Sequence, residues 1–372
     1  MPPRPREHRE DALARAVLDR YLGVRAGESV TIETWSHALP WARALVVGAR
    51  RRGARPSLLV EDEEAFFRSV EAVGSRFPDR FRSGPGGRGG AYIYLDGPEE
   101  FPRLLGLPPR DRERLLERHD RAWWTAARRA HTRALRVAVG DATPIAAERY
   151  GVDRDAWQSE LLRASLVDPG ILARRAGAVL RRLAGSPARR LRHANGTDLS
   201  VEVELRAARA DVGRPEPVRG LVWGRVPAGL LILPLRARRT DGVWETNRPA
   251  YDRFSRSPVA IGGRFAFRRG RLTELAFDRG GEPALPPPAR FGTGRVRPIA
   301  LTIGLNPAIS FAPEFQELGE GTFGLLLGDA PYRPGGERPR RTFLAALAGA
   351  EFAPPASVQF GPAATTERAR PR

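Results

Sequence analysis

The sequence predicts an α/β N-terminal domain with a mainly parallel sheet, followed by a β-rich α+β C-terminal domain. Three observations carry this. Up to about residue 186, short apolar runs alternate with helical stripes, the βαβ rhythm of a parallel sheet covered by helices. From Arg189 onward the period changes to that of strands. Within that stretch Asn195-Gly196 separates two apolar runs, a pair that closes β-hairpins. The expected boundaries are 1–186 for the α/β domain, 187–360 for the β-rich domain and 361–372 for a frayed tail of Pro, Thr and Arg.

The elements follow in order. Ala12 to Leu22 places Leu13, Val17 and Tyr21 on one helical stripe, and Gly23 stops it. Ser29 to Thr34 is a short strand, Leu39 to Arg52 a helix ended by Gly53, and Ser57 to Val60 a buried strand. A helix with an acidic start begins at Glu63. Ala91 to Leu95 is a strand, Arg110 to Ala130 a helix, and Leu135 to Val139 a strand. Two helices, Asp153 to Leu166 and Gly170 to Leu183, are broken at Asp168-Pro169. In the second, Leu172, Ala176, Val179, Leu180 and Leu183 form the inward stripe. Then come strands at Leu191 to His193, Leu199 to Leu205, Leu230 to Leu235, Gly263 to Arg268 and Leu272 to Phe277, with a second hairpin at Arg269-Gly270. Pro286 to Pro288 is a stiff connector.

Composition narrows the function. Hydrophobic residues make up 41% of 372, a globular proportion with room for about two domains. No run approaches the roughly 18 apolar residues of a membrane helix, and Met1 to Glu10 lacks the apolar core of a signal peptide. A cytoplasmic location is expected. Cysteine is absent, which excludes disulfides, thiol nucleophiles and thiolate metal sites. The net charge is +19, and all 62 basic residues are arginine. Arginine pairs well with phosphate. A chain with no lysine, however, reads as the product of a GC-rich genome rather than of a polyanion partner. Gly84, Gly86 and Gly89 satisfy G-x-G-x-x-G, but they precede the strand at Ala91 where a dinucleotide fingerprint must follow one.

Several stretches, in order, resemble a known family. They are Tyr21-Leu22-Gly23-Val24-Arg25-Ala26-Gly27-Glu28-Ser29-Val30, Arg52-Gly53-Ala54, Ala142-Thr143-Pro144, Asn195-Gly196-Thr197-Asp198-Leu199 and Val226-Pro227-Ala228-Gly229 with Pro234. Phe267 to Leu272, Ile303-Gly304-Leu305-Asn306-Pro307 and Glu317 through Gly321-Thr322 complete the series. Together they resemble the thermophilic metallo-aminopeptidases of the aminopeptidase T and aminopeptidase S type. The resemblance implies a homodimer with a β-rich catalytic domain that removes N-terminal residues from peptides. It implies a pair of divalent metals held by two glutamates, two histidines and an aspartate, with a tyrosine assisting. Such ions generate hydroxide from water near neutral pH.

The implied ligands do not carry over. The family glutamate after Pro-x-Gly is replaced by Leu230, the second glutamate by Ala300, and the histidine after Gly-Thr by Gly324. The segment expected to hold His-x-Asp, Arg341-Thr342-Phe343-Leu344-Ala345, contains neither residue. Tyr332 alone lies beside the place of the catalytic tyrosine. The five histidines, His8, His37, His119, His131 and His193, form no H-x-x-x-H or H-x-D, and none follows Leu230. Glu314, Glu317, Glu320, Asp329 and Glu337 cluster in sequence, but with no metal-loop spacing they read as solvated loop acids. His37 follows the strand at Val30 in a βα loop, a place where ligands bind in α/β sheets, though a surface histidine is the favoured reading there. No G-x-S-x-G elbow is present.

The expectation is therefore an inactive aminopeptidase homologue, with no metal or other cofactor, that keeps a dimer cavity for a peptide or small ligand or serves a structural role. A first alternative is an active aminopeptidase that uses Zn²⁺ or Co²⁺ through relocated ligands. A second is nucleic-acid association through Arg174, Arg175, Arg181, Arg182, Arg189 and Arg190, against which the chain-wide arginine excess argues.

Overall fold

A parallel sheet organises the first half of the chain. The computed structural model describes residues 8–73, 89–95, 97–106, 129–184, 188–215, 223–246, 250–252, 257–277, 279–280, 297–328 and 342–347. The sheet contains β1 (Ser29–Trp35), β2 (Arg55–Glu61), β3 (Ala91–Leu95), β4 (Arg133–Val137) and β8 (Trp223–Val226). Their order is β2-β1-β3-β4-β8, and every neighbouring pair is parallel. The fifth strand thus comes from beyond the expected boundary near 186.

Side-chain alternation divides this sheet into two unlike faces. Val30, Ile32, Ile93, Leu95, Leu135, Val137 and Val226 pack on one side against Leu13, Val17, Trp41 and Leu45. Those partners come from α1 (Arg9–Arg15), the π-helical turn Ala16–Tyr21 that continues it, and α2 (Leu39–Arg51). The helical stripe read from the sequence is therefore the buried one. On the other side stand Glu33, Trp35, Tyr92 and Tyr94. Glu33 is buried and receives the Tyr92 hydroxyl hydrogen bond.

The expectation of a buried strand at Ser57 to Val60 needs correction. β2 is the outermost strand of the sheet, and Leu58, Leu59 and Val60 are exposed. A short apolar run reads the same whether it lies at the centre or at the edge. The Arg55 N–H donates to Glu28 O on the β1 side, so by alternation Pro56 directs its missing N–H away from β1. Proline at that position suits an edge strand, where no ladder bond is lost.

Three helices follow, α4 (Pro144–Tyr150), α5 (Arg154–Ser165) and α6 (Pro169–Leu183). Each begins with a side-chain cap: Thr143, Asp153 and Asp168 accept from the N–H groups of Ala146, Ala156 and Gly170. α6 buries Leu172, Ala176 and Leu183 and packs Val179 and Leu180 against the same core.

The β-rich part holds three antiparallel sheets. One contains β5 (Ala188–Arg192), β6 (Asp198–Glu202), β10 (Asp241–Thr246), β13 (Gly263–Arg268) and β14 (Arg271–Ala276), in the order β14-β13-β10-β6-β5. A second contains β7 (Arg209–Asp211), β9 (Leu230–Pro234), β16 (Arg297–Gly304), β17 (Phe323–Gly328) and β18 (Thr342–Leu347), in the order β18-β17-β16-β9-β7. A small third sheet joins β11 (Ala250–Asp252), β12 (Ser257–Ile261) and β15 (Arg279–Gly280). A core lies between the first two sheets and α6. Trp244, Phe265, Leu231, Leu233, Leu301 and Leu325 are at its centre. Both expected hairpins form. At the first, Asn195 Nδ2 donates to Glu245 O at 2.8 Å and Asn195 Oδ1 accepts from the Thr197 N–H at 3.1 Å.

The helix expected at Arg110 to Ala130 falls largely outside the described residues. The connector Pro286 to Pro288, Tyr332, Asp329, Glu337, His119, Gly84, Gly86 and the tail 361–372 fall wholly outside them. Among the described residues, no helix is long and apolar enough to cross a membrane.

Candidate functional site

Leu230, Ala300 and Gly324 lie on one face of the second antiparallel sheet. On β9, β16 and β17 the alternate residues Leu231, Leu233, Leu301, Ile303, Phe323, Leu325 and Leu327 enter the core between the sheets and α6. By alternation the three positions face the other way. β16 is the middle strand, pairing Ala300 with Pro234 on β9 and with Leu326 on β17. Leu230 is buried in a separate cluster with Tyr150, Trp157, Leu161, Phe315 and Leu318. Ala300 is fully buried. None of these side chains has an electron pair to donate, so the dinuclear metal centre that the resemblance implies does not fit them.

Arg209 and Asp211 of β7, paired with Ile232 and Leu230, share this face at its edge, and the buried polar group at its centre is Thr302. It pairs with Ile232 on one side and Gly324 on the other. Its hydroxyl is buried without a hydrogen-bond partner among the described residues. A buried polar group of this kind requires an explanation. In the sequence Thr302 carries no signal beyond strand propensity, and nothing there singles it out.

The loops beside this face are held by polar anchors. Asn306 Nδ2 donates to Ala228 O at 2.7 Å and Ala164 O at 3.1 Å, while its Oδ1 accepts from the Ala308 N–H at 3.0 Å. A Cβ on Gly304 would lie 1.9 Å from Gly319 O, so only glycine fits there. Glu160, also buried, accepts from the backbone N–H groups of Ser310, Phe311 and Ala312 and from the Ser310 hydroxyl, all within 2.9 Å. Four donors satisfy a buried carboxylate and pin the 308–312 loop.

Of the acids expected to be solvated, the three among the described residues have partners, and Glu320 is also exposed. Glu314 accepts from the Tyr150 hydroxyl, Glu317 pairs with Arg225, and Glu320 pairs with Arg175. Part of the arginine set has protein partners, while Arg174, Arg181 and Arg182 are exposed. Arg189 donates to Leu183 O at 2.7 Å, and Arg190 forms a two-pronged pair with Asp198 at 2.6 and 2.7 Å. That contact holds the Asp198 carboxyl below its ordinary range. Three of the six arginines considered for nucleic acid thus already have protein partners. Among the histidines, His193 Nδ1 accepts from the Asn195 N–H in the hairpin. His37 sits in the turn Ser36–Ala38 between β1 and α2.

The chain has an aminopeptidase-like fold, in which a parallel α/β unit takes its fifth strand from a β-rich unit. Among solved structures, wild-type AmpT from Thermus thermophilus matches it with a TM-score of 0.61 and 18% identity, over 91% of this chain and 92% of its own. A 2,5-dihydroxypyridine dioxygenase from Pseudomonas putida KT2440 aligns over 97% of this chain and 98% of its own, with a TM-score of 0.48 and 13% identity. No protein-family model matches the sequence, and no curated protein matches it. At 18% identity the likeness to AmpT speaks for fold alone, and function rests on the site.

Proposed function

We propose that this chain is a non-hydrolytic protein of aminopeptidase-like fold. In this reading the face around Leu230, Ala300 and Gly324 binds a peptide or small ligand, or serves a structural role, within a homodimer. The observation that carries it is the burial of side chains without donor atoms at the positions where the resemblance places metal ligands. Hydrolysis by a metal pair needs charged or imidazole donors to hold the ions. A mostly apolar face with a few polar groups, Thr302 and at its edge Arg209 and Asp211, has instead the make-up of a binding site.

The test is hydrolysis of a leucyl amide by the purified chain with added Zn²⁺, Co²⁺ or Mg²⁺. The expected result is release no faster than the protein-free blank for each ion. Turnover that a chelator abolishes would overturn the reading and favour a peptidase with relocated ligands.

A further inference from the structure

Three side chains from different βα connections meet at the carboxyl end of the parallel sheet. They are His37 after β1, Glu63 at the start of α3 (Glu63–Val73) after β2, and Glu99 after β3. One ligand atom from each lies within 4.8 Å of the other two. The order β2-β1-β3 explains the meeting: the chain leaves β1 for one side and then crosses to β3 on the other. Such a reversal opens a crevice beyond the strand ends, the place where open α/β sheets take their ligands.

The surroundings favour a cation in this crevice. Both imidazole nitrogens of His37 are shielded from solvent. Glu63 is held rigidly, with Oε2 accepting from the Glu99 N–H at 3.0 Å and Oε1 from the Glu100 N–H at 2.7 Å. Those bonds orient the carboxylate and leave a further lone pair on each oxygen, the arrangement expected of a supported metal ligand. The neighbouring acids are accounted for separately. Arg103 pairs with Glu64 at 3.0 Å, Glu71 at 3.4 Å and Glu100 at 3.7 Å.

We propose that His37, Glu63 and Glu99 bind one divalent transition-metal ion, of the Zn²⁺ type. Imidazole favours such ions over Mg²⁺ and Ca²⁺, and three protein ligands leave a coordination position open for water or a ligand. The site stands independently of the reading given to Leu230, Ala300 and Gly324. The competing account is that protein partners alone hold the three side chains together.

Calorimetric titration of the chelator-stripped, full-length chain with Zn²⁺, and in parallel with Mg²⁺, separates the two. The expected result is one Zn²⁺ per chain, with Mg²⁺ bound far more weakly. Loss of an outer-shell partner weakens a metal site by about 10–100-fold, so removing a ligand through His37→Asn or Glu99→Gln should weaken Zn²⁺ binding by at least about 100-fold. Zn²⁺ should raise the melting temperature of the wild type and not of the variants. The wild type also gives a readout that needs no variant: a ring-nitrogen NMR signal of His37 should shift on Zn²⁺ addition. Absence of saturable Zn²⁺ binding, equal affinity in folded variants, or an unmoved His37 signal would each overturn the proposal. The leucyl-amide assay on the same samples keeps this outcome distinct from that of the proposed function.

Discussion

At the scale of single residues, Thr302 and Asn306 make an instructive pair, close together in the chain and both buried. Asn306 spends its amide on three backbone groups, while the Thr302 hydroxyl finds no partner among the described residues. A buried, unsatisfied hydroxyl costs about 1–3 kcal/mol, and an apolar side chain of the same shape avoids that cost. Thr302→Val is therefore expected to stabilise the ligand-free protein by about 1 kcal/mol, read as a higher urea midpoint with an unchanged slope. A lower midpoint would show that the hydroxyl is satisfied in solution. The same contrast explains what was legible at this scale. Gly304-Leu305-Asn306 stood out in the sequence, and its role is local: glycine lets Gly319 O approach, and asparagine ties three segments. Such motifs report the fold, so the resemblance built on them could identify an architecture without its chemistry. His37, Glu63 and Glu99 share no spacing; Glu63 and Glu99 are 36 residues apart. Only the crossing order of the strands brings them together.

At the scale of elements, helices and hairpins were legible because their signals are local. The stripe Leu13, Val17 and Tyr21 is buried, α5 and α6 form close to their expected bounds, and Asn195-Gly196 turns where expected. β2 was misread because exposure depends on what lies beside a strand, which its own residues do not state. Elements are also joined by charge. Arg52, just past α2, makes a two-pronged contact with Asp19 in the π-helical turn, its Nη2 lying 2.6 Å from Oδ2. The Arg52 hydrogen bonds are the main cause holding the Asp19 carboxyl below its ordinary value of 3.8. A carboxyl lowered in the folded state adds stability above its unfolded pKa and loses that contribution as pH falls through the folded pKa. Asp19→Asn should accordingly melt slightly below the wild type at neutral pH, and the gap should close well below pH 3.8. The pair is partly exposed, so the neutral-pH gap should be small, within about 1 kcal/mol. A gap that persists in acid would mean the side chain acts by shape rather than charge.

At the scale of the whole molecule, the two halves are interlocked rather than strung together. β8 completes the parallel sheet beside β4, its Val226 is buried in the N-terminal core, and the Ala138 N–H donates to Val226 O at 2.9 Å. Tyr21 donates to Val167 O at 2.7 Å, and Arg20 to Leu166 O at 2.9 Å, tying the first helical segment to the connection before α6. Burial of Tyr21 pushes its phenol well above the ordinary range, so this tie keeps its proton at all ordinary pH values. The four residues Trp223–Val226, with a glycine and an arginine among them, offer no periodicity that would assign them to the first half. A fragment of residues 1–186 would keep most of the α/β sequence but lose β8. The β4 edge would then present unpaired N–H and C=O groups, and the core would lose Val226. The intact chain is expected to melt in one cooperative transition, because neither half closes its sheet and core alone. The fragment is expected to lack a sharp transition by circular dichroism and to self-associate in sedimentation through the exposed edge. A monomeric fragment melting cooperatively near the temperature of the full chain would show that the first half folds unaided and that β8 is an addition to a finished sheet.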